Sequence, residues 1–358
     1  MSAFHSLTIE ATRSEARDTL VVRFAVSENL RKTFQFTQGQ YLTLRTNIEN
    51  EEVRRSYSIC SAVQDDVLEV AIKKIQDGLF SSWAAQHLQA GSTIDVMPPM
   101  GKFFSPLAPE NKKHYLAFCA GSGITPIYSI IKTTLLSEPN SRFTLVYGNR
   151  ASSTMIFRSA LSDIKDQFLH RFNLINAMSR EQQDAELFNG RINAEKCMTL
   201  CQQWINLNDI DLTFICGPEQ MMQEVSATLI KLGVDKTQIK TELFVANAKN
   251  KNRRVESVRP QSESHCDVTV VLDGRQFTFS MEKDKQSVLE AGLLQGLDLR
   301  YSCKGGVCST CRCKVTEGKV DMDMNYALED YEIARGFVLS CQSFPATNTL
   351  TLDFDQEN

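Results

Sequence analysis

Four cysteines near the carboxyl end constrain this chain more than any other feature. Cys303, Cys308 and Cys311 stand at C-x4-C-x2-C spacing, and Cys341 lies thirty residues further on. That is the ligand spacing of a plant-type [2Fe–2S] cluster, in which four thiolates converge on two irons and two sulfides. Three of the ligands come from one tight loop, so its backbone must pass close to the cluster. Gly305 and Gly306 have no Cβ and are expected to take positive φ and aim N–H groups inward. Arg300 and Lys304 stand nearby to offset negative charge. A structural zinc site or a disulfide knot is the competing reading, but zinc is usually held by two short C-x2-C hooks. Here the fourth ligand stands alone. Cys313 is expected to be a packed strand residue beside the ligands, exposed to oxidation if it were uncovered.

The chain has 358 residues, enough for two or three domains. Its formal charge of -4 gives no general affinity for nucleic acid. No run approaches the length of a membrane span. Met1 to Glu15 lacks a charged segment followed by an apolar one, so no export signal is read there. Eleven cysteines without an export signal suggest reduced thiols and a cytoplasmic location.

The first hundred residues alternate short β-rich runs with turn residues: Leu7–Thr12, Leu20–Val26, Tyr41–Arg45, Val53–Ile59 and Leu68–Ile75. This predicts a small antiparallel barrel, interrupted by a helix over Leu79–Leu88. On the strand Arg54-Arg55-Ser56-Tyr57-Ser58, Arg55 and Tyr57 share a face. A guanidinium beside a flat ring suits a ligand with a phosphate and a planar group. Gly78-Leu79-Phe80-Ser81-Ser82 then opens the helix, and a helix amino terminus attracts anions. Ser81 could equally be a simple N-cap.

From Lys112 to Ala246 apolar strands alternate with helices, which predicts a parallel sheet covered on both faces. Ligands of such sheets bind beyond the carboxyl ends of the strands. The first strand, His114–Ala120, runs into Gly121-Ser122-Gly123-Ile124-Thr125-Pro126, where glycines and a helix start suit a pyrophosphate. It is not a full G-x-G-x-x-G, so an ordinary turn stays open. The second strand ends in Gly148-Asn149-Arg150. An arginine there favours a 2′-phosphate, hence NADPH over NADH, and Arg158 could assist. Another strand ends in Cys216-Gly217-Pro218, where Cys216 is either a buried apolar thiol or part of the nicotinamide pocket.

Asn247 to His265 is polar, carries five basic residues and reads as a solvated linker, or else as a basic docking surface. The last segment opens with a hairpin about Asp273-Gly274. A helix follows, capped by Ser287 with Glu290. Then come the cysteine loop, a strand over Arg312–Thr316, a short helix near Glu329–Arg335 and the strand carrying Cys341. The expectation is a multidomain chain. An antiparallel β-barrel flavin domain would span 1–108 and an α/β parallel-sheet nucleotide domain 109–246. A linker over 247–265 would lead to an α+β β-grasp ferredoxin domain over 266–358.

A hydride carrier delivers two electrons and a [2Fe–2S] cluster accepts one, so a flavin belongs between them. The chain resembles the ferredoxin–NADP⁺ reductase superfamily, in the subgroup with a C-terminal plant-type ferredoxin domain. The segments that carry the resemblance are Phe4–Thr8, Ala120–Pro126, Tyr147–Arg150, Phe214–Pro218, Cys303–Cys308 and Val338–Gln342. Within that family it is most similar to reductases that feed a di-iron oxygenase in phenylacetate catabolism.

The resemblance implies FAD, NADPH and a [2Fe–2S] cluster. It assigns Arg55 to the flavin pyrophosphate, Tyr57 to stacking on the isoalloxazine and Ser58 to its N5. Ala71 and Lys73 would flank the flavin, and Gly78 to Ser82 would bind its phosphates. Gly121 to Pro126 would hold the dinucleotide. Cys216 and Glu242 would lie near the hydride-transfer point, with Phe244 on the flavin face that the nicotinamide must reach. FMN-binding relatives share these kinds of domain.

No Glu-x-x-His and no Cys-x-His occurs, so the chain carries neither a ferritin-like di-iron motif nor a Rieske one. An oxygenase partner is therefore expected. A di-iron monooxygenase and an aromatic-ring dioxygenase are both candidates, and an iron–sulfur redox sensor is the alternative of another class.

Overall fold

The computed structural model describes residues 4–244 and 264–356, so most of the expected linker lies outside the described residues. By packing the chain divides into two units, Phe4–Glu242 and Leu243 onward.

The first unit begins with six antiparallel strands: β1 (His5–Ser14), β2 (Thr19–Ala25), β3 (Tyr41–Ile48), β4 (Glu51–Ser58), β5 (Leu68–Lys73) and β6 (Thr93–Val96). Their order is β4-β3-β6-β1-β2-β5. An Ile59–Val70 bridge joins the two edges, so the sheet closes into the expected barrel. Inward-facing Leu42, Leu44, Val22, Val70 and Val96 are fully buried. Each such side chain contributes about 1.5–3 kcal/mol on leaving water. Helix α1 (Leu79–His87) buries Phe80 and Ala84 against this core. Strand β6 is absent from the sequence expectation. Its four residues place only Ile94 and Val96 inward, too short an alternation to stand out before β1 and β3 flank it.

The same unit continues with a parallel sheet. Its elements are β7 (His114–Ala120), α2 (Ile124–Ser137), β8 (Arg142–Asn149), α3 (Arg158–Gln167), β9 (Phe172–Met178), α4 (Ala194–Gln203), β10 (Leu212–Cys216), α5 (Glu219–Lys231) and β11 (Ile239–Glu242). The order is β11-β10-β7-β8-β9, so chain direction across the sheet reverses between β7 and β10. Tyr115 to Cys119 are all fully buried, as a strand covered on both faces requires. Helix α2 lays Ile124, Ile127, Ile131 and Leu135 on the sheet at helical spacing.

The second unit is a mixed sheet. Its elements are β12 (His265–Leu272), β13 (Arg275–Glu282), α6 (Val288–Leu294), β14 (Arg312–Glu317), β15 (Val320–Met322), α7 (Asp330–Ala334), β16 (Phe337–Leu339), β17 (Ser343–Pro345) and β18 (Thr349–Asp353). The main order is β13-β12-β18-β14-β16, with β15 and β17 paired separately. Strand β12 starts at His265, one residue inside the expected linker. The capping box on α6 forms as predicted: Ser287 Oγ accepts from Glu290 N–H, and Glu290 Oε2 accepts from Ser287 N–H. The central strand β18 is a further addition to the sequence expectation. Leu350 and Leu352 point inward and are buried between β12 and β14. Among the described residues, no helix is long and apolar enough to cross a membrane.

Candidate active site and cluster site

The four predicted cluster ligands fall into two pairs. The Cys308 thiol donates to Cys303 Sγ at 3.1 Å. That hydrogen bond, joined by backbone N–H groups of Gly305, Val307 and Cys308, brings Cys303 down to about 6. The Cys311 thiol donates to Cys341, which is likewise lowered and also faces the Gly306 N–H. Among the described residues no three His, Cys, Asp or Glu side chains converge as ligands of a single ion. Two pairs of sulfurs suit two irons better than one tetrahedral zinc.

The loop departs from expectation in one detail. Positive φ falls at Lys304 (50°) and Gly306 (73°), and not at Gly305. Gly305 instead directs its N–H at Cys303 Sγ, 3.3 Å away. A Cβ on Gly306 would lie 2.7 Å from Met324 O, so only glycine fits there. Gln342 Nε2 donates to Lys304 O at 2.9 Å, tying the loop to the turn that carries Cys341. Cys313 is buried in β14, as its strand position suggested.

In the first unit, β4 presents the exposed Arg55 and the half-buried Tyr57. Tyr57 packs at 5.7 Å from Phe80 of α1, and burial pushes its hydroxyl above the ordinary phenol range. Ser56 bonds across to Thr43 at 3.1 Å. Gly78 starts α1 without a side-chain cap, which leaves first-turn N–H groups for an anion. Ser81 is buried, and its hydroxyl donates to Gly78 O and accepts from Ile75 N–H, both at 3.3 Å. It braces the turn, while Leu79 is exposed and Ser82 half-buried. From β5, Ala71 is buried and Lys73 reaches toward the parallel sheet. Lys73 Nζ lies 3.9 Å from where a Gly121 Cβ would stand. Burial and the neighbouring Arg150 charge lower the Lys73 ammonium. Lys73 at the glycine turn, with the Arg150 charge near it, makes a place for phosphate.

That turn is built by close backbone approach. After β7, Gly121 has φ 55° and Gly121–Gly123 form a 3₁₀ turn that leads into α2. Thr125 Oγ1 donates to Ser122 O at 3.0 Å, and Pro126 sits in the first turn of α2. A Cβ on Gly123 would lie 2.1 Å from Cys216 O, and one on Gly217 3.2 Å from Ala120 N. The ends of β7 and β10 thus touch at the reversal point, with Pro218 opening α5. At the end of β8, Gly148 packs under Ile192. Asn149 Nδ2 is buried without a protein partner, and Arg150 and Arg158 are exposed. An orphaned donor, a narrow glycine cleft and cations together fit a dinucleotide.

Ser58 and Glu242 come together from opposite ends of this unit, with Ser58 Oγ donating to Glu242 Oε2 at 3.3 Å. Cys216 stands beside Glu242 in the parallel register. Burial pushes the Glu242 carboxyl up to about 8. Burial, with Glu242 and Cys119 close by, keeps Cys216 a protonated thiol. The result is a proton-holding cluster at the carboxyl edge of the sheet, beside the barrel strand that bears Tyr57. Phe244 is half-buried and follows β11 by two residues.

Sequence reasoning missed Ser179 and Arg180. Ser179 N–H donates to Asn149 O at 2.9 Å, and Arg180 N–H to Arg150 O at 2.8 Å. A second arginine therefore stands beside Arg150. The signal was present, because β9 ends at Met178 and the strand-end rule applies there as it does to β8.

Comparison with known proteins agrees with this architecture. Residues 6–104 match the oxidoreductase FAD-binding domain, 118–227 the oxidoreductase NAD-binding domain, and 270–346 the 2Fe-2S iron-sulfur cluster binding domain. The chain belongs to the ferredoxin–NADP⁺ reductase superfamily, among the oxygenase reductases that join these three domains. It is 46% identical to one of the subunits of the 1,2-phenylacetyl-CoA epoxidase of Escherichia coli (strain K12), over 99% of each chain. It is 32% identical to the ferredoxin reductase component of 3-ketosteroid-9-alpha-monooxygenase of Rhodococcus rhodochrous, over 97% of this chain and 96% of that one. The solved structure of phthalate dioxygenase reductase shares the fold, with a TM-score of 0.61 at 21% identity, covering 99% of this chain and 100% of that one. The protein is an NAD(P)H-dependent flavin and iron–sulfur oxidoreductase, a reductase component of a multicomponent oxygenase.

Proposed function

We propose that this chain draws electrons from NADPH and passes them singly to the di-iron oxygenase subunit of a phenylacetyl-CoA epoxidase, in the cytoplasm. The observation that carries this reading is end-to-end similarity to a subunit of that epoxidase. Lower similarity to a steroid monooxygenase reductase supports a second reading, in which another oxygenase is the acceptor.

When bound, the nicotinamide supplies a hydride, the FAD accepts both electrons and releases them one by one, and the cluster carries one at a time. The residues have separable tasks. Arg55 and the uncapped start of α1 (Gly78 to Ser82) bind the flavin pyrophosphate. Tyr57 offers a half-buried ring to the isoalloxazine. The Gly121–Pro126 turn, with Lys73 and Gly217, binds the nicotinamide nucleotide at the strand reversal. Arg150, Arg158 and Arg180 present charge to a 2′-phosphate, favouring NADPH. Ser58, neutral Glu242 and the Cys216 thiol would hold protons beside the bound flavin and nicotinamide, so that no fixed negative charge there would oppose hydride transfer. Cys303, Cys308, Cys311 and Cys341 ligate the cluster.

Anaerobic mixing of the purified protein with NADPH and then with an epoxidase oxygenase subunit tests the assignment. Oxidation of the reduced protein by that subunit is expected, and epoxide should form once phenylacetyl-CoA and dioxygen are then admitted. Oxidation only by other oxygenases would favour the second reading.

A further inference from the structure

The four cluster ligands are unequally secured. Cys303 and Cys308 share one loop, whereas Cys311 and Cys341 are thirty residues apart. They meet because β14 pairs with β16, placing Arg312 opposite Leu339. Ser340 reinforces the meeting: its N–H and its hydroxyl donate to Cys311 O at 3.1 and 3.0 Å. Strand β16 has only three residues, so this pairing is a short tether.

A buried ion pair spans the same junction. Arg312, the residue after Cys311, donates from Nη1 to Glu332 Oε1 at 2.7 Å. Their side chains are 14% and 2% exposed. The guanidinium lies over the Phe337 ring, 4.4 Å from its centroid. The other oxygen of Glu332 accepts from Glu329 N–H at 3.1 Å, closing a capping box on α7. Helix α7 turns through Gly336 directly into β16, which ends two residues before Cys341. Glu332 therefore anchors the arm that delivers Cys341, and Arg312 anchors the arm that delivers Cys311.

Buried ion pairs seldom add stability beyond what apolar replacements would give, because both ions lose their hydration. What such a pair adds here is a fixed distance between two chain segments. We propose that Arg312 and Glu332 are positioning residues for the [2Fe–2S] cluster, locking the α7–β16 arm against β14 so that the Cys311 and Cys341 sulfurs keep the separation one iron requires. The inference rests on the assignment of the four cysteines as cluster ligands.

The test uses the full-length protein, with Arg312→Met, Glu332→Gln and Arg312→Lys variants. Three quantities are measured: far-ultraviolet circular dichroism, the electron paramagnetic resonance spectrum of the reduced cluster, and the rate of iron release to a chelator. Groups that orient metal ligands typically change metal retention by roughly 10–100-fold when removed. Arg312→Met and Glu332→Gln should release iron faster by that order and show shifted g values with native circular dichroism. Arg312→Lys, which keeps the charge, should move both readouts back toward wild type. If Arg312→Met fails to fold, Glu332→Gln carries the same expectations, since it preserves shape. Folded variants with wild-type release and g values would overturn the proposal, even if their thermal stability fell. A wild-type protein that holds no cluster after reconstitution would instead overturn the ligand assignment.

Discussion

Glu242 keeps its proton near neutrality because its partly buried setting disfavours the charged form, and the hydrogen bond from Ser58 only partly offsets this. Its pKa of about 8 sets the direction of a pH effect. Below that value the side chain is neutral, and above it a negative charge stands at the proposed hydride-transfer point. Flavin reduction by NADPH should therefore slow as pH rises through about 8. Glu242→Gln, permanently neutral, should remove that limb, and a limb of unchanged position in the variant would take Glu242 out of the assignment. In the proposed reading Arg150 offers its charge and its N–H donors to the 2′-phosphate. Arg150→Asp should lower NADPH preference over NADH by roughly 10–100-fold, the weight of one or two charge-assisted hydrogen bonds. An unaltered ratio of kcat/KM values would point to Arg158 or Arg180. Residue-level legibility was uneven. Arg150 and Cys216 were visible as strand-end residues, but the Ser58–Glu242 contact joins positions 184 apart and no spacing encodes it. The phosphate role expected of Ser81 met a hydroxyl already engaged by the turn.

At the scale of elements, period and punctuation carried most of the information. The expected bounds of β7, His114–Ala120, coincide with the structure because buried parallel strands are unbroken apolar runs between polar turns. Strands β6 and β18 escaped because each offers only two inward side chains, and their place depends on neighbours distant in sequence. In the cluster loop two adjacent glycines marked the right place, but positive φ falls at Lys304 and Gly306, and of the glycines it is Gly306 that packs too closely on Met324 O to admit a Cβ. The turn between β7 and α2 is the element with least tolerance. Gly123→Ala would set a methyl carbon 2.1 Å from Cys216 O, and the obstacle is backbone. Overpacking of this kind costs about 1–3 kcal/mol or more. The variant should show a lower thermal midpoint and weaker nucleotide binding by calorimetry, and an unchanged midpoint would mean that the two strand ends can separate freely.

At the scale of the molecule, the parts form a sequence that matches two-electron supply to one-electron demand. The barrel and parallel sheet of the first unit place the Tyr57 edge, the glycine turn and the Ser58–Glu242 pair within one compact body. The second unit gathers four sulfurs in two pairs. Domain kinds and their order were legible because each has a distinct period or cysteine signature. The identity of the electron acceptor was not, since docking depends on surface shape that no local pattern encodes. The most direct test of the relay is anaerobic stopped-flow absorbance of wild type and Cys308→Ser mixed with NADPH, followed by the oxygenase subunit. Flavin bleaching should persist in both proteins, while reduction of the cluster and of the oxygenase should vanish in the variant. Undiminished oxygenase reduction by a variant shown to lack its cluster would contradict the account.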